Sequence, residues 1–391
     1  MRFFRSLLMT AQLLLVLPPA IGQQTDEAQR VHATTLGVDA HNDTLQRILL
    51  EGVDIGKRLS DGEIDLPRLR EGGVHVPFFA MAVPEYYKGA DAVRGTLDFR
   101  DAMQRVLDKY PDQIELATSA NDIQRIVGQK KIAAVLTVEG GHQIADDLAV
   151  LRMYRKMGVL SMTLAHFRSN DWADSSTGKA EHNGLTDFGK EVVREMNRIG
   201  MIVDVSHVSD QTFYDVLAIS TKPVIASHSS CRVFSDVPRN MTDDMLRALA
   251  QNGGVVGVNF GASFLNQMEA GRLKRAIASR NSLDPELSGA ELDQFALKQR
   301  VASAYDHPRV GQATLDDAAN CIDHIAKVAG VDHVGIGSDF DGIETVSRGI
   351  EDISKLPALT SALLKRGYSE QDIQKIMGGN FLRVIRSVVG Q

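Results

Sequence analysis

Cysteine is almost missing from this chain: Cys231 and Cys321 are the only two in 391 residues. A disulfide-stapled scaffold and a zinc–thiolate site with closely paired cysteines are both excluded. Two free, buried thiols are the expectation. Tryptophan occurs once, at Trp172, and aromatics make up 6% of the chain, too few for a platform on which bases could stack. Basic charge is not in excess either, since the formal charge is -7 and Lys and Arg are interspersed with Asp and Glu. Without a basic stripe, nucleic acid is not an expected partner.

Long apolar runs are also lacking. The longest, Leu7 to Leu17, follows Arg2 and Arg5 and precedes Pro18, Pro19, Ala20, Ile21 and Gly22. It is shorter than the ~20 residues of a spanning helix, and reads as a secretory signal over residues 1–22, cleaved after Gly22. No Cys follows it, and the C-terminal R-S-V-V-G-Q has no hydrophobic anchor tail. The expectation is a soluble protein of residues 23–391 with no stable membrane anchor, exported across an inner membrane to the periplasm.

What the chain has in abundance is alternation. From Gly37 onward, short runs rich in Val and Ile alternate with segments of helical period, which implies a parallel sheet. Strands are expected near 37–42, 74–83, 132–138, 160–165, 201–205, 224–227, 254–259 and 333–338. Helices are expected at 145–157, 184–199, 208–219, 241–251 and 315–329. Eight strands close a (β/α)8 barrel of TIM type. Residues 261–314, after the seventh strand, are charged and without a strand pattern. They are read as a helical insertion on the active-site side, a candidate lid over a single catalytic domain.

Several of these runs close on a polar residue able to bind metal: L-G-V-D-A-H-N-D, I-A-A-V-L-T-V-E, M-I-V-D-V-S-H, P-V-I-A-S-H and H-V-G-I-G-S-D. Strand ends in such a barrel share one mouth, so His41, Asp43, Glu139, His207, His228 and Asp339 are expected to converge. His41 and Asp43 alternate along one strand and face the same way. Glu139 has two oxygens and can bridge two cations. One metal would then take His41, Asp43 and Glu139, and the other Glu139, His207 and His228. Zinc accepts imidazole and carboxylate together. Two such ions sharing a water supply a nucleophile and a Lewis acid for hydrolysis, with Asp339 placed to take the proton and return it to the leaving group. Asp341 is assigned to the turn, and the remaining histidines, His142 included, to structural roles.

From Val38 to Val384 the chain resembles the membrane (renal) dipeptidases of the amidohydrolase superfamily. The resemblance rests on D-A-H-N-D, D-L-P-R-L-R-E-G-G-V, V-E-G-G-H, M-T-L-A-H, D-V-S-H, S-H-S-S, P-R-N, G-G-V-V-G-V-N-F, G-S-D-F-D-G and G-G-N-F-L-R, in that order. It implies a binuclear zinc dipeptidase with His41, Asp43, Glu139, His207 and His228 as ligands of two zinc ions. It further implies that His166 contacts the substrate carbonyl and that Arg239 grips a free C-terminal carboxylate, with Arg168 and Arg232 as rivals. The substrate is then a dipeptide, and a homodimer is allowed. Where mammalian members carry a Tyr shortly after N-F, this chain has Phe264, so their side-chain preference does not transfer. Trp172 is a candidate pocket wall. Two other readings remain: an amidohydrolase acting on N-acyl amino acids, cyclic amides or lactones, and a catalytically silent peptide binder.

Overall fold

The computed structural model describes residues 21–283, 286–304 and 309–390. Among the described residues eleven strands are present: β1 Gly37–Asn42, β2 Val74–Met81, β3 Ile114–Leu116, β4 Ile132–Glu139, β5 Val159–Thr163, β6 Ile202–Asp204, β7 Ile225–Ser229, β8 Val255–Val258, β9 Arg309–Thr314, β10 Val334–Ile336 and β11 Thr345–Arg348. Eight of them run parallel in the order β1-β2-β4-β5-β6-β7-β8-β10. The ring closes between its last and first strands. Asn42 bridges Phe340 in parallel, the Asp43 N–H donates to Phe340 O at 2.8 Å, and the Asp339 N–H donates to His41 O at 3.0 Å. The eight ring strands are those expected from the sequence, each end within two residues of its expected place.

Between the strands run helices whose ends the sequence writes clearly. Asp187–Ile199 starts where the Thr186 side chain accepts from the Gly189 N–H, buries Val192, Val193 and Met196, and stops at left-handed Gly200. Leu315–Ala329 begins with a capping box between Thr314 and Asp317. Such caps fix where each connection leaves a strand, and hence where the mouth residues stand.

One apolar cluster draws Val38, Val76, Val135, Leu160, Ile202, Ile225 and Val255 from seven ring strands at once, together with Phe381, Val384 and Ile385 of the C-terminal helix. Side chains that meet from seven strands lie inside the ring. They form its floor, and Phe381 plugs it. At Gly335 of β10 an added Cβ would come within 2.5 Å of the Phe381 ring, so this strand needs glycine there.

The stretch from 261 to 314 corrects one expectation. It contains the helices Ala270–Asn281 and Gly289–Ala304, but it ends in a strand: β9 pairs in parallel with β11, in a two-stranded sheet outside the ring. The signal for it was weak, because R-V-G-Q-A-T carries little apolar alternation and its partner follows only after the last ring strand. The helices lie against the mouth. Arg168 donates to the carbonyls of Asn281 and Leu283. Asp293 accepts from Tyr87 Oη and Arg94, each at 2.9 Å.

The expected signal segment lies outside the described residues as far as residue 20, and a helix, Ile21–Ala33, begins at its C-terminal end. Among the described residues no helix is long and apolar enough to cross a membrane.

Candidate metal centre and active site

At the mouth, four imidazoles surround one carboxylate oxygen. Glu139, the last residue of β4, has Oε1 3.1 Å from His207 Nε2, 3.3 Å from His41 Nε2, 3.4 Å from His228 Nε2 and 3.7 Å from His166 Nε2. His41 Nε2 lies 3.8 Å from Asp43 Oδ2. Every expected metal residue is therefore in one cluster, all of them buried. The tightest groups of candidate donors are His41, Glu139 and His228; Glu139, His166 and His207; and His41, Asp43 and Asp339. His166 and Asp339 thus stand nearer the donor set than their expected roles required.

The chemistry of this cluster fits cations. Neither ring nitrogen of His41 has a hydrogen-bond partner, nor does His207 Nδ1, although all are buried. Such atoms are costly unless something binds them. His207 Nε2 and His228 Nε2 stand 2.8 Å apart, too close for two bare lone pairs. The Ser227 hydroxyl lies 2.8 Å from His228 Nδ1; in the tautomer whose Nδ1–H donates to that oxygen, Nε2 is the lone pair facing the cluster.

Burial, followed by neighbouring positive charge, pushes His207 and His228 well below the usual imidazole range, which keeps them neutral. At His41 burial opposes charge but Glu139 and Asp43 prevail, so this spot favours a positive charge. Burial also opposes ionisation of Glu139, yet the charge of His41 and His166 and the close approach of His207 and His228 hold it well below the carboxylate range. Imidazole and carboxylate around a place that favours positive charge is a donor set for zinc-like ions.

Asp339 leaves β10 with φ +60°, and His207 follows β6 with φ +70°. A left-handed backbone costs a residue with a side chain roughly 1–2 kcal/mol. At Asp339 the bend delivers its N–H to His41 O and its side chain to the cluster. Asn259, at the end of β8, donates to Asp339 Oδ2 at 2.6 Å. Burial raises Asp339 to about 7, helped by Asp43 and Glu139 and opposed by His41 and Arg239.

Arg239 is buried, and its Nε and Nη1 lack hydrogen-bond partners. Burial lowers it to about 10, opposed by Asp339, Glu139 and Asp204, so it stays charged at neutral pH. Its guanidinium carbon stands 5.6 Å from the centre of the Phe264 ring. Both rivals are engaged elsewhere: Arg232 makes two bonds to Asp210, and Arg168 caps the insertion helix.

A cavity of about 670 Å³ opens over this cluster. Asp43, Glu139, His166, His207, Arg239 and Asp339 line it, as do Phe264 and Leu273, Leu283 and Leu297 of the insertion. Trp172 does not, contrary to expectation. It is buried against Gly141 and Phe188. His142 faces away, with Nε2 3.1 Å from Val83 O. Asp341 is more than a turn residue: its carboxylate accepts from Thr44 and from the Glu63 N–H, and its own N–H donates to Glu63.

Two residues at the mouth escaped the sequence reading, Asn259 and Glu85. Both sit just beyond ring strands, so the strand-end rule that found the histidines would have reached them had it been applied to β2 and β8. Cys231 and Cys321, as expected, are free and buried, with Sγ atoms 2.7 Å apart.

Residues 25–390 match the family model for membrane dipeptidase, peptidase family M19. The chain belongs to this family. It is accordingly a metallopeptidase, a hydrolase of dipeptidase type. Dipeptidase tcpJ of Claviceps purpurea is 34% identical over 95% of this chain and 82% of its own length. Dipeptidase 3 of Mus musculus is 36% identical over 90% of this chain, which spans 64% of that protein. Among solved structures, the dipeptidase AC, a metallopeptidase of family M19, superposes with a TM-score of 0.74 at 25% identity, covering 92% of this chain and all of that one.

Proposed function

We propose that this dipeptidase is a binuclear zinc enzyme whose two ions are held by His41, Asp43 and Glu139 and by Glu139, His207 and His228. The observation that carries the reading is the convergence of four Nε2 atoms on a single oxygen of Glu139. Bound there, the ions would supply Lewis acidity and an activated water.

The side chains do the rest. Arg239 presents unpartnered N–H donors to the free C-terminal carboxylate of a dipeptide, and a guanidinium fork suits that group. His166 Nε2 faces the cluster and meets the scissile carbonyl as negative charge develops. Asp339, raised towards neutrality and steadied by Asn259, takes a proton and returns it to the leaving amine. Phe264 packs beside Arg239 and adds no hydroxyl, so Arg239 carries the carboxylate alone.

Residues 1–22 act as a signal peptide in the same reading, and residues 23–391 work as one catalytic domain in the periplasm, with a homodimer as the assembly. The match of the family model over 25–390 supports a single catalytic unit.

Metal analysis combined with a panel of dipeptides, N-acyl amino acids, cyclic amides and lactones tests the proposal. Two zinc ions per chain and turnover confined to dipeptides with free C-termini are expected. Faster turnover of lactones or N-acyl amino acids would favour the broader amidohydrolase reading.

A further inference from the structure

Just past the end of β2, in V-P-E-Y-Y, Glu85 sends its carboxylate into the mouth, where it lines the cavity. Its Oε1 lies 2.8 Å from His166 Nδ1 and accepts the Phe167 N–H at 2.8 Å. One oxygen thereby stands against both the ring of His166 and the backbone that follows it. On the far side of the ring, His166 Nε2 faces Glu139 Oε1 at 3.7 Å. The neighbouring His142 is directed to Val83 O and leaves Glu85 to His166.

With the Glu85 anion beside Nδ1, it is Nε2 that faces the cluster. We propose that Glu85 is a positioning residue, fixing the His166 ring so that Nε2 addresses the scissile carbonyl. It rests on the reading above that His166 acts on the substrate. Partners of this kind, placed behind a working imidazole, are worth roughly 10- to 100-fold in activity or affinity.

The test is a cycle of Glu85→Ala, Glu85→Gln, His166→Ala and the double variant Glu85→Ala/His166→Ala, each loaded with zinc and assayed on one dipeptide. Glu85→Ala should lower kcat roughly 10- to 100-fold with KM and bound zinc unchanged. Glu85→Gln keeps an oxygen for Phe167 and the ring while losing the charge, and should lose less. In the His166→Ala background the loss from Glu85→Ala should vanish, which a merely structural role would not produce. A wild-type kcat for Glu85→Ala, losses that multiply in the double variant, or zinc lost with Glu85 would each overturn the proposal. A wild-type rate for His166→Ala would instead overturn the role of His166 itself. Should Glu85→Ala fail to fold, Glu85→Gln carries the same cycle, and an undiminished kcat there overturns the proposal.

Discussion

The floor of the barrel brings Val38, Val76, Val135, Ile202 and Ile225 together under Phe381, all buried and apolar. A few residues further along the same strands, the mouth brings together His41, Glu139, His207 and His228, also buried, and neither ring nitrogen of His41 nor Nδ1 of His207 has a hydrogen-bond partner. Both sets of side chains are buried. The floor gains stability from burial, whereas the mouth holds polar groups at a cost that only a ligand removes. Strength and chemistry are thus separated along each strand, and a substitution should report which end it touches.

The sharpest way to break the contrast is at Glu139. Glu139→Gln removes the anion shared by four imidazoles, so both metals should be lost together and activity should fall by at least about a thousandfold, the scale of several kcal/mol of lost metal catalysis. Two zinc ions still bound tightly, read by elemental analysis, would end the bridging assignment. Asp339→Asn preserves shape and should keep the metal while cutting kcat at least about a hundredfold on every dipeptide. Near-normal turnover would move the proton role to another group.

At the floor the outcome should be the reverse. Phe381→Ala should cost about 3–5 kcal/mol in urea denaturation, yet leave zinc content and the kcat of the folded enzyme unchanged. A loss of metal there would mean that the two ends are mechanically coupled. The smallest effect concerns substrate. Amidating the C-terminus of a dipeptide should weaken kcat/KM by about 1.5–3 kcal/mol, and Arg239→Met should impair the acid by a similar amount but the amide little. Equal hydrolysis of acid and amide by the unmodified enzyme would remove the carboxylate clamp.

Much of this was legible before any fold was known. Val- and Ile-rich runs ending in His, Asp or Glu mark parallel strands and their mouths together, since period and polarity are both local properties. Strand β9 was not legible, because six residues with little alternation acquire strand character only from a partner that follows the last ring strand. Glu85 and Asn259 were passed over because nothing about a lone Glu or Asn says what stands opposite. Trp172 misled for the same reason: a lone aromatic among polar residues suggests a wall, and only its packing on Gly141 and Phe188 shows that it is buried away from the cavity.

The sequence by itself determined the alternation of ring strands and helices and the donor set His41, Asp43, Glu139, His207 and His228 at the mouth, because periodicity, capping and residue chemistry act over a few residues. The tertiary structure alone decided which nitrogen faces which oxygen, the left-handed bend that delivers Asp339, and the pairing of Glu85 with His166. Each of those depends on the closure of the ring, which brings together residues as far apart in the chain as Asn42 and Phe340.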